Sequence, residues 1–198
     1  MKAAILYEPN KPISIEQIEL EDPGAGEIMV KNMAAGVCHS DWHVMKGDWG
    51  RIPLPSILGH EVSGMVEAIG PQVTSVKQGD HVVLTWKSGC GRCEMCQQGY
   101  LSVCDQMPTV ASKPRHTETG DEINQLCGLG GFGSYTVIPE SAAVIIDCDL
   151  PFPQAALVGC GVSTGVGAVI NTARVRPGTS VAVFGCGGVG LNVIQGAR

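Results

Sequence analysis

Apolar and β-branched residues fall in short runs through the first half of the chain: KAAILYE, ISIEQIEL, EIMVKNMAAG, EVSGMVEAIG and HVVLTW. Each run has the length of a strand, and glycine, proline and aspartate separate them, as at Pro23-Gly24-Ala25-Gly26, Gly70-Pro71 and Gly79-Asp80. This predicts a compact β-rich domain with a barrel-like core. From Pro151 the pattern becomes helical and rich in glycine. After the turn Arg176-Pro177-Gly178, SVAVFG reads as a buried strand that opens into Gly185-Cys186-Gly187-Gly188-Val189-Gly190, with VGLNVIQGAR as the following helix.

A strand, a glycine run and a helix in that order form the context of a dinucleotide-binding turn. Gly185 permits the tight turn, Gly187 and its neighbour Gly188 let backbone approach a pyrophosphate, and Gly190 allows close helix packing. The acidic residue that selects the coenzyme belongs about 20 residues further on, past Arg198. The pattern therefore predicts NAD and leaves NADP open. One strand and a partial helix cannot bury their apolar faces without more parallel sheet, so the chain is expected to be the front part of a longer protein.

Composition excludes some functions. The 44% hydrophobic and 16% charged residues suit an ordinary globular chain that can bury a core. A formal charge of −6 and the absence of any Lys/Arg cluster argue against nucleic acid as a partner. The start, MKAAILYEPN, lacks the apolar region and cleavage site of a signal peptide, so a reducing cytoplasmic location is expected. Ala155–Ile170 carries no charge across 16 residues. It falls short of the roughly 20 needed to cross a bilayer and contains glycine, serine and threonine, so a buried element is expected and no membrane span.

Cysteine spacing carries the clearest chemistry. Cys90, Cys93, Cys96 and Cys104 sit in CGRCEMCQQGYLSVC, where one short loop can offer four thiolates to a single ion. That is what a closed tetrahedral zinc site requires. A disulfide pair is the competing reading, and it suits an exported chain better than this one. Among the other cysteines, Cys38 lies in GVCHSDWH at a strand end and Cys160 lies between two glycines, with Gly59-His60-Glu61 between them in the chain. Two thiolates and an imidazole would make the three-ligand set of an open, catalytic zinc. An isolated cysteine is otherwise a small buried hydrophobe, and the residues alone leave that alternative standing. Cys127, Cys148 and Cys186 have no partner at ligand spacing, and His81 and His116 carry no assignment.

Taken together, Gly36-Val37-Cys38-His39-Ser40-Asp41-Trp42-His43, Gly59-His60-Glu61, the four-cysteine lobe, Gly159-Cys160-Gly161-Val162-Ser163-Thr164-Gly165 and the terminal glycine run resemble the zinc-dependent medium-chain alcohol dehydrogenases. The resemblance spans nearly the whole chain in the right order. It implies a GroES-like β-barrel catalytic domain over residues 1–160, followed over 161–198 by the beginning of an α/β Rossmann domain, a doubly wound parallel sheet. It also implies two zinc ions per subunit, with Cys38, His60 and Cys160 holding the catalytic one and the four clustered cysteines the structural one.

By the same resemblance, Asp41 orients the ligand imidazole and Glu61 stands close behind the metal; a plain buried structural partner is the alternative for Glu61. Ser40 matches the first hydroxyl of a proton relay and His43 its outer end, unless His43 is simply a surface residue. Thr164 falls near the nicotinamide. His39 stands where many relatives carry arginine near the pyrophosphate, which gives a weaker, pH-dependent grip. Trp49 and Trp86 fall where the family lines its substrate pocket, although either could be core.

The implied reaction is reversible oxidation of a primary or secondary alcohol to an aldehyde or ketone, with hydride passing to NAD(P). Small alcohols or aldehydes are the implied partners, and a homodimer or homotetramer the implied assembly. The polar stretch from Val110 to Gly131 is long enough for a loop over the site or an edge of a subunit contact. Its length resembles the class that contains formaldehyde dehydrogenases acting on hydroxymethyl thiols. A non-catalytic zinc-holding module is the alternative of a different kind.

Overall fold

The computed structural model describes residues 1–50, 52–111 and 113–198. Its first part runs β1 (Lys2–Leu6), β2 (Ser14–Glu19), β3 (Glu27–Gly36), α1 (His39–Lys46), β4 (Ser56–Ile57), β5 (Glu61–Ile69) and β6 (His81–Leu84). Then come α2 (Glu94–Gln97), β7 (Arg115–His116), β8 (Asn124–Gln125), β9 (Tyr135–Pro139) and β10 (Ala143–Ile145). The helical end consists of α3 (Phe152–Leu157), α4 (Ser163–Gly167) and α5 (Gly188–Ala197).

Two five-stranded sheets form, in the orders β10-β6-β5-β3-β9 and β7-β2-β1-β4-β8. All pairs are antiparallel except β4 with β8. The chain at Phe132–Ser134 stitches the sheets together: Ala4 N–H donates to the Phe132 carbonyl at 3.0 Å and Ser134 N–H to that of Lys2 at 2.8 Å. Ile28, Val30, Val62, Val66, Val82 and Leu84 fill the interior of the first sheet, and Ala3, Ile5, Ile18 and Ile57 that of the second. The result is a curled half-barrel, the architecture the strand pattern predicts.

β3 and β5 are the axis of this barrel. They pair along nearly their full lengths, ending at Gly36 opposite Glu61, with β3 bulged between Asn32 and Ala34. Bulges bend a strand and raise its twist. The final pair, Gly36 with Glu61, sets the chain after β3 beside the chain before β5. Cys38 and His60 sit on those two flanks, so strand register brings the two chain segments side by side.

All five strand runs read from the sequence are present, within two residues at each end. Three features differ. Cys38 lies two residues past its strand, at the start of α1, a helix whose polar sequence HSDWHVMK gives little apolar periodicity. SVAVFG forms no strand, and Phe184 is 98% exposed. A strand needs a ladder partner, and among the described residues none lies beside it. The apolar stretch belongs to a continuous helical run, Phe152–Ala173, of 22 residues, in which α3 and α4 are joined by the π-turn Val158–Val162 and a second π-turn, Ala168–Ala173, follows.

That run is long and apolar enough by length and composition to cross a membrane, and 22% of its most apolar window is buried. Burial is confined to Ala155, Ala156, Gly165 and Val169. The expected buried element is therefore a half-covered one. Its α3 end packs on β3 and β5, and α4 packs on α5. The expected boundary between residues 160 and 161 falls inside the run. Of the Val110–Gly131 stretch, Ser112 lies outside the described residues; the remainder supplies β7 and β8 and one wall of a cavity.

Gly64 faces Asn32 across the bulge, and a Cβ there would run into the Lys31 carbonyl and lie 2.8 Å from Val30 Cγ1. Gly64→Ala is expected to cost about 1–3 kcal/mol through overpacking. A lower urea midpoint at unchanged slope is the measurement that checks it.

Candidate active site and metal centres

The first centre is assembled from three elements. Cys38 is the N-cap of α1, His60 directly precedes β5, and Cys160 lies in the π-turn of the helical run. Their ligand atoms all lie within 4.8 Å of one another.

Asp41, fully buried, organises two of the three. Its Oδ2 accepts the Cys38 N–H at 2.9 Å, closing the capping box of α1, and its Oδ1 accepts the Gly59 N–H at 2.9 Å. The same Oδ1 stands 3.4 Å from Nδ1 of His60. That contact is too long and poorly aligned to be a formed hydrogen bond, and Nδ1 is buried without a partner. An imidazole with Nδ1 facing a carboxylate keeps its other nitrogen free for a ligand, the usual arrangement at a metal-binding histidine. Gly59 makes the approach possible: its φ is +90°, and a Cβ there would lie 2.6 Å from Phe132 Cδ1.

Glu61 holds the third arm. Its carboxylate is 4% exposed, and Oε1 accepts the Gly161 N–H at 3.1 Å, next to Cys160. A Cβ on Gly36 would clash with its Oε2, so the glycine at the end of β3 is what admits this side chain.

The proton affinities show the strain of packing these groups together. Burial disfavours the Cys38 thiolate, but the Ser40 N–H and hydroxyl and the His60 ring outweigh it and leave the thiol below its ordinary range. Burial likewise opposes charge on His60, yet Asp41 and Cys38 outweigh it and raise its proton affinity. The Cys160 thiol is pushed up to about 12, first by burial and then by the negative charges of Cys38 and Glu61. Anionic donors converging on one point need a cation to neutralise them, and two thiolates with an imidazole suit zinc. The donor set therefore fits a zinc ion with one coordination position open.

Around this centre, Ser40 favours the Cys38 thiolate, while His43 is exposed one turn further along α1, its Nδ1 3.7 Å from Asp48 Oδ2. No hydrogen bond joins Ser40 to His43 among the described residues. The exposed His39 packs its ring edge-on to that of His43, with centroids 5.3 Å apart. Thr164 is also exposed, and its hydroxyl weakly opposes the rise of the Cys160 thiol.

The second centre is local. Cys90, Cys93, Cys96 and Cys104 place their sulfurs within 4.8 Å of one another. All four are free thiols. Cys93 Sγ and Cys104 Sγ are 3.8 Å apart. A tetrahedron with zinc–sulfur bonds of about 2.3 Å has an edge of about 3.8 Å, so this pair already stands at ligand separation. The Cys90 N–H points at Cys104 Sγ at 3.3 Å and the Cys93 N–H at Cys90 Sγ at 3.4 Å, orienting the sulfurs from outside. Backbone N–H groups of Cys96 and Asp105 draw the Cys93 thiol down to about 6, whereas burial pushes Cys96 up to about 12. Four sulfurs leave no open position, so this set fits a closed structural ion.

At the glycine run, Gly185 has φ +101° and Gly187 is the N-cap of α5. A Cβ at Gly187 or Gly188 would meet nothing within 4 Å, whereas one at Gly190 would strike the Gly185 carbonyl. The open face at a helix N-terminus fits a phosphate group, and the tight one fits the fingerprint's packing glycine.

A cavity of 330 Å³ is lined in part by Ile52, Trp86, Met107, Leu126 and Cys127. Trp86 is on its wall; Trp49, 42% exposed, is not among the lining residues. Burial first, and then the charge of Asp41, push the Cys127 thiol up to about 11. Trp86 is legible as a pocket residue from the sequence, whereas Ile52 and Met107 escape it because they come from irregular segments with no periodic signal. Of the two unassigned histidines, His81 packs on Phe152 and His116 pairs with Glu16 at 2.8 Å.

The half-barrel thus carries two cysteine-based centres whose donor sets fit zinc, one open and one closed. Residues 24–148 match the alcohol dehydrogenase GroES-like domain. The chain is 40% identical over 204 aligned residues to S-(hydroxymethyl)glutathione dehydrogenase of Saccharomyces cerevisiae, covering 99% of this chain and 53% of that protein. It superposes on an alcohol dehydrogenase zinc-binding domain protein from Burkholderia ambifaria with a TM-score of 0.90 at 35% identity, covering 100% of this chain and 55% of that one. The corresponding values for benzyl alcohol dehydrogenase from Acinetobacter calcoaceticus are 0.87, 33%, 99% and 54%. The chain belongs to the zinc-dependent medium-chain alcohol dehydrogenase family and spans about half the length of these relatives.

Asp41→Asn keeps the shape but removes the charge facing His60. Zinc affinity at the first centre is expected to fall about 10–100-fold, while the ion in the four-cysteine lobe stays bound. Metal content after graded chelation, read per site, checks this.

Proposed function

We propose that this chain forms the catalytic half of a zinc-dependent, NAD-linked alcohol dehydrogenase that oxidises a primary or secondary alcohol reversibly to an aldehyde or ketone. The convergence of Cys38, His60 and Cys160 within 4.8 Å is the observation that carries this reading. A module that only held zinc would need the four-cysteine lobe and no second, open set. Residues 1–160 then serve as the catalytic domain and 161–198 as the opening of the coenzyme domain, in a cytoplasmic homo-oligomer.

When bound, zinc would supply Lewis acidity that lowers the pKa of an alcohol hydroxyl, and NAD would supply the hydride acceptor. Cys38, His60 and Cys160 hold the metal, with Asp41 and Glu61 fixing their directions. Trp86 and its neighbours on the cavity wall shut out water and orient the alcohol's apolar body. Ser40, beside Cys38, accepts the hydroxyl proton and passes it outward, and exposed His43 exchanges it with solvent. Gly185, Gly187, Gly188 and Gly190 seat the pyrophosphate at α5, with His39 beside it, and Thr164 faces the nicotinamide.

A second reading, oxidation of a hydroxymethyl thiol, is favoured by the 40% identity to the yeast S-(hydroxymethyl)glutathione dehydrogenase. Formaldehyde oxidation that requires a low-molecular-weight thiol would support it; turnover of simple alcohols without thiol supports the first.

Two zinc ions per full-length chain are expected by metal analysis, and one ion confined to the lobe would leave only the structural module. Ser40→Ala is expected to lower kcat by about 10²–10⁴-fold with both ions retained. Unchanged turnover would remove Ser40 from the proton path.

A further inference from the structure

The cavity beside Trp86 has a charge pattern that a plain alcohol does not use. Its walls are mostly apolar, and Lys113 is the one charged side chain among the described lining residues. The Lys113 ammonium donates to Asn124 Oδ1, another wall residue, at 3.3 Å and lies 3.7 Å from Glu122 Oε2. Both partners of that ion pair are about half exposed, so the pair contributes little and is readily exchanged. Glu122 is also held by Arg115 Nη2 at 2.8 Å, so it keeps a cation when Lys113 turns away. No carboxylate lines the cavity among the described residues.

We infer that this cavity takes an alcohol with an apolar body and a carboxylate at its far end, and that Lys113 is the residue that recognises the carboxylate. The inference rests on the dehydrogenase reading and narrows its substrate class. Apolar walls with one placed cation match an amphipathic anion, because the body is desolvated on the walls while the charge stays paired at the rim. The cavity, at 330 Å³, lies in the range of small-molecule pockets and has room for a single ring with two small substituents. Trp86 supplies the flat surface for that ring.

The test uses the full-length enzyme with 4-(hydroxymethyl)benzoate and 4-isopropylbenzyl alcohol, whose carboxylate and isopropyl groups have the same number of heavy atoms and similar size. The carboxylate substrate is expected to show the lower KM. Lys113→Met should raise that KM about tenfold or more and leave kcat and the neutral alcohol unchanged, with Lys113→Arg restoring most of the loss. Equal effects on both substrates, or none on either, overturn the assignment while leaving the dehydrogenase reading intact. A parallel measurement does not need turnover: 4-methylbenzoate binding, followed by quenching of tryptophan emission, should weaken about tenfold in Lys113→Met. If no alcohol is oxidised, the dehydrogenase reading fails, and this binding result alone decides the role of Lys113. Unchanged binding overturns it.

Discussion

One buried carboxylate fixes the geometry on which the first centre depends. Asp41 ties the Cys38 N–H and the Gly59 N–H to its two oxygens and faces His60 with one of them. The donor loops after β3 and before β5 thereby share a single anchor. A charge in that position is sustainable because it is paired: an uncompensated buried ion costs several kcal/mol, while each hydrogen bond to a charged group contributes about 1.5–3 kcal/mol. The anchor is itself set by α1, whose first turn brings Asp41 back onto Cys38. Helix capping, usually a local matter of stability, here determines where a thiolate and an imidazole meet.

The two cysteine-based centres divide between local and long-range construction. In the four-cysteine lobe all donors come from one short segment, and turns at Gly91 and Gly99, with φ of +72° and +87°, fold it around the ion position. The three-donor centre has no such continuity. It exists only when β3 and β5 are in register and the helical run lies against them, with Glu61 bridging to Gly161. Loss of barrel packing therefore dismantles the open centre directly, whereas the lobe needs little from the barrel beyond an attachment.

That division explains what the sequence revealed. Cys90, Cys93, Cys96 and Cys104 were legible from spacing because their geometry is encoded within one loop. The strands were legible because each β-branched run is bounded by glycine, proline or aspartate. Cys38, His60 and Cys160 were only candidates until a family resemblance joined them, since their proximity is a property of strand register, which no local pattern carries. α1 went unread for lack of an apolar stripe. SVAVFG misled in the opposite way: its composition is that of a buried strand, but a strand is defined by its neighbours. Of the cavity wall, Trp86 and the Val110–Gly131 stretch were legible by resemblance, but Ile52 and Met107 left no signal, because convergence of irregular segments is decided by tertiary packing.

The helical run also has a mechanical meaning. Cys160 sits in its π-turn, and five residues later Gly165 receives α5 so closely that a Cβ there would lie 2.5 Å from Asn192 Cβ and 2.6 Å from the Val189 carbonyl. Five helical residues correspond to a rise of about 7–8 Å. The thiolate donor and the glycine-rich turn are thus fastened to one short strut, with no soft linker between them. Any tilt of α5 against the barrel therefore bears first on Gly165, five residues along the same helical run from the Cys160 sulfur.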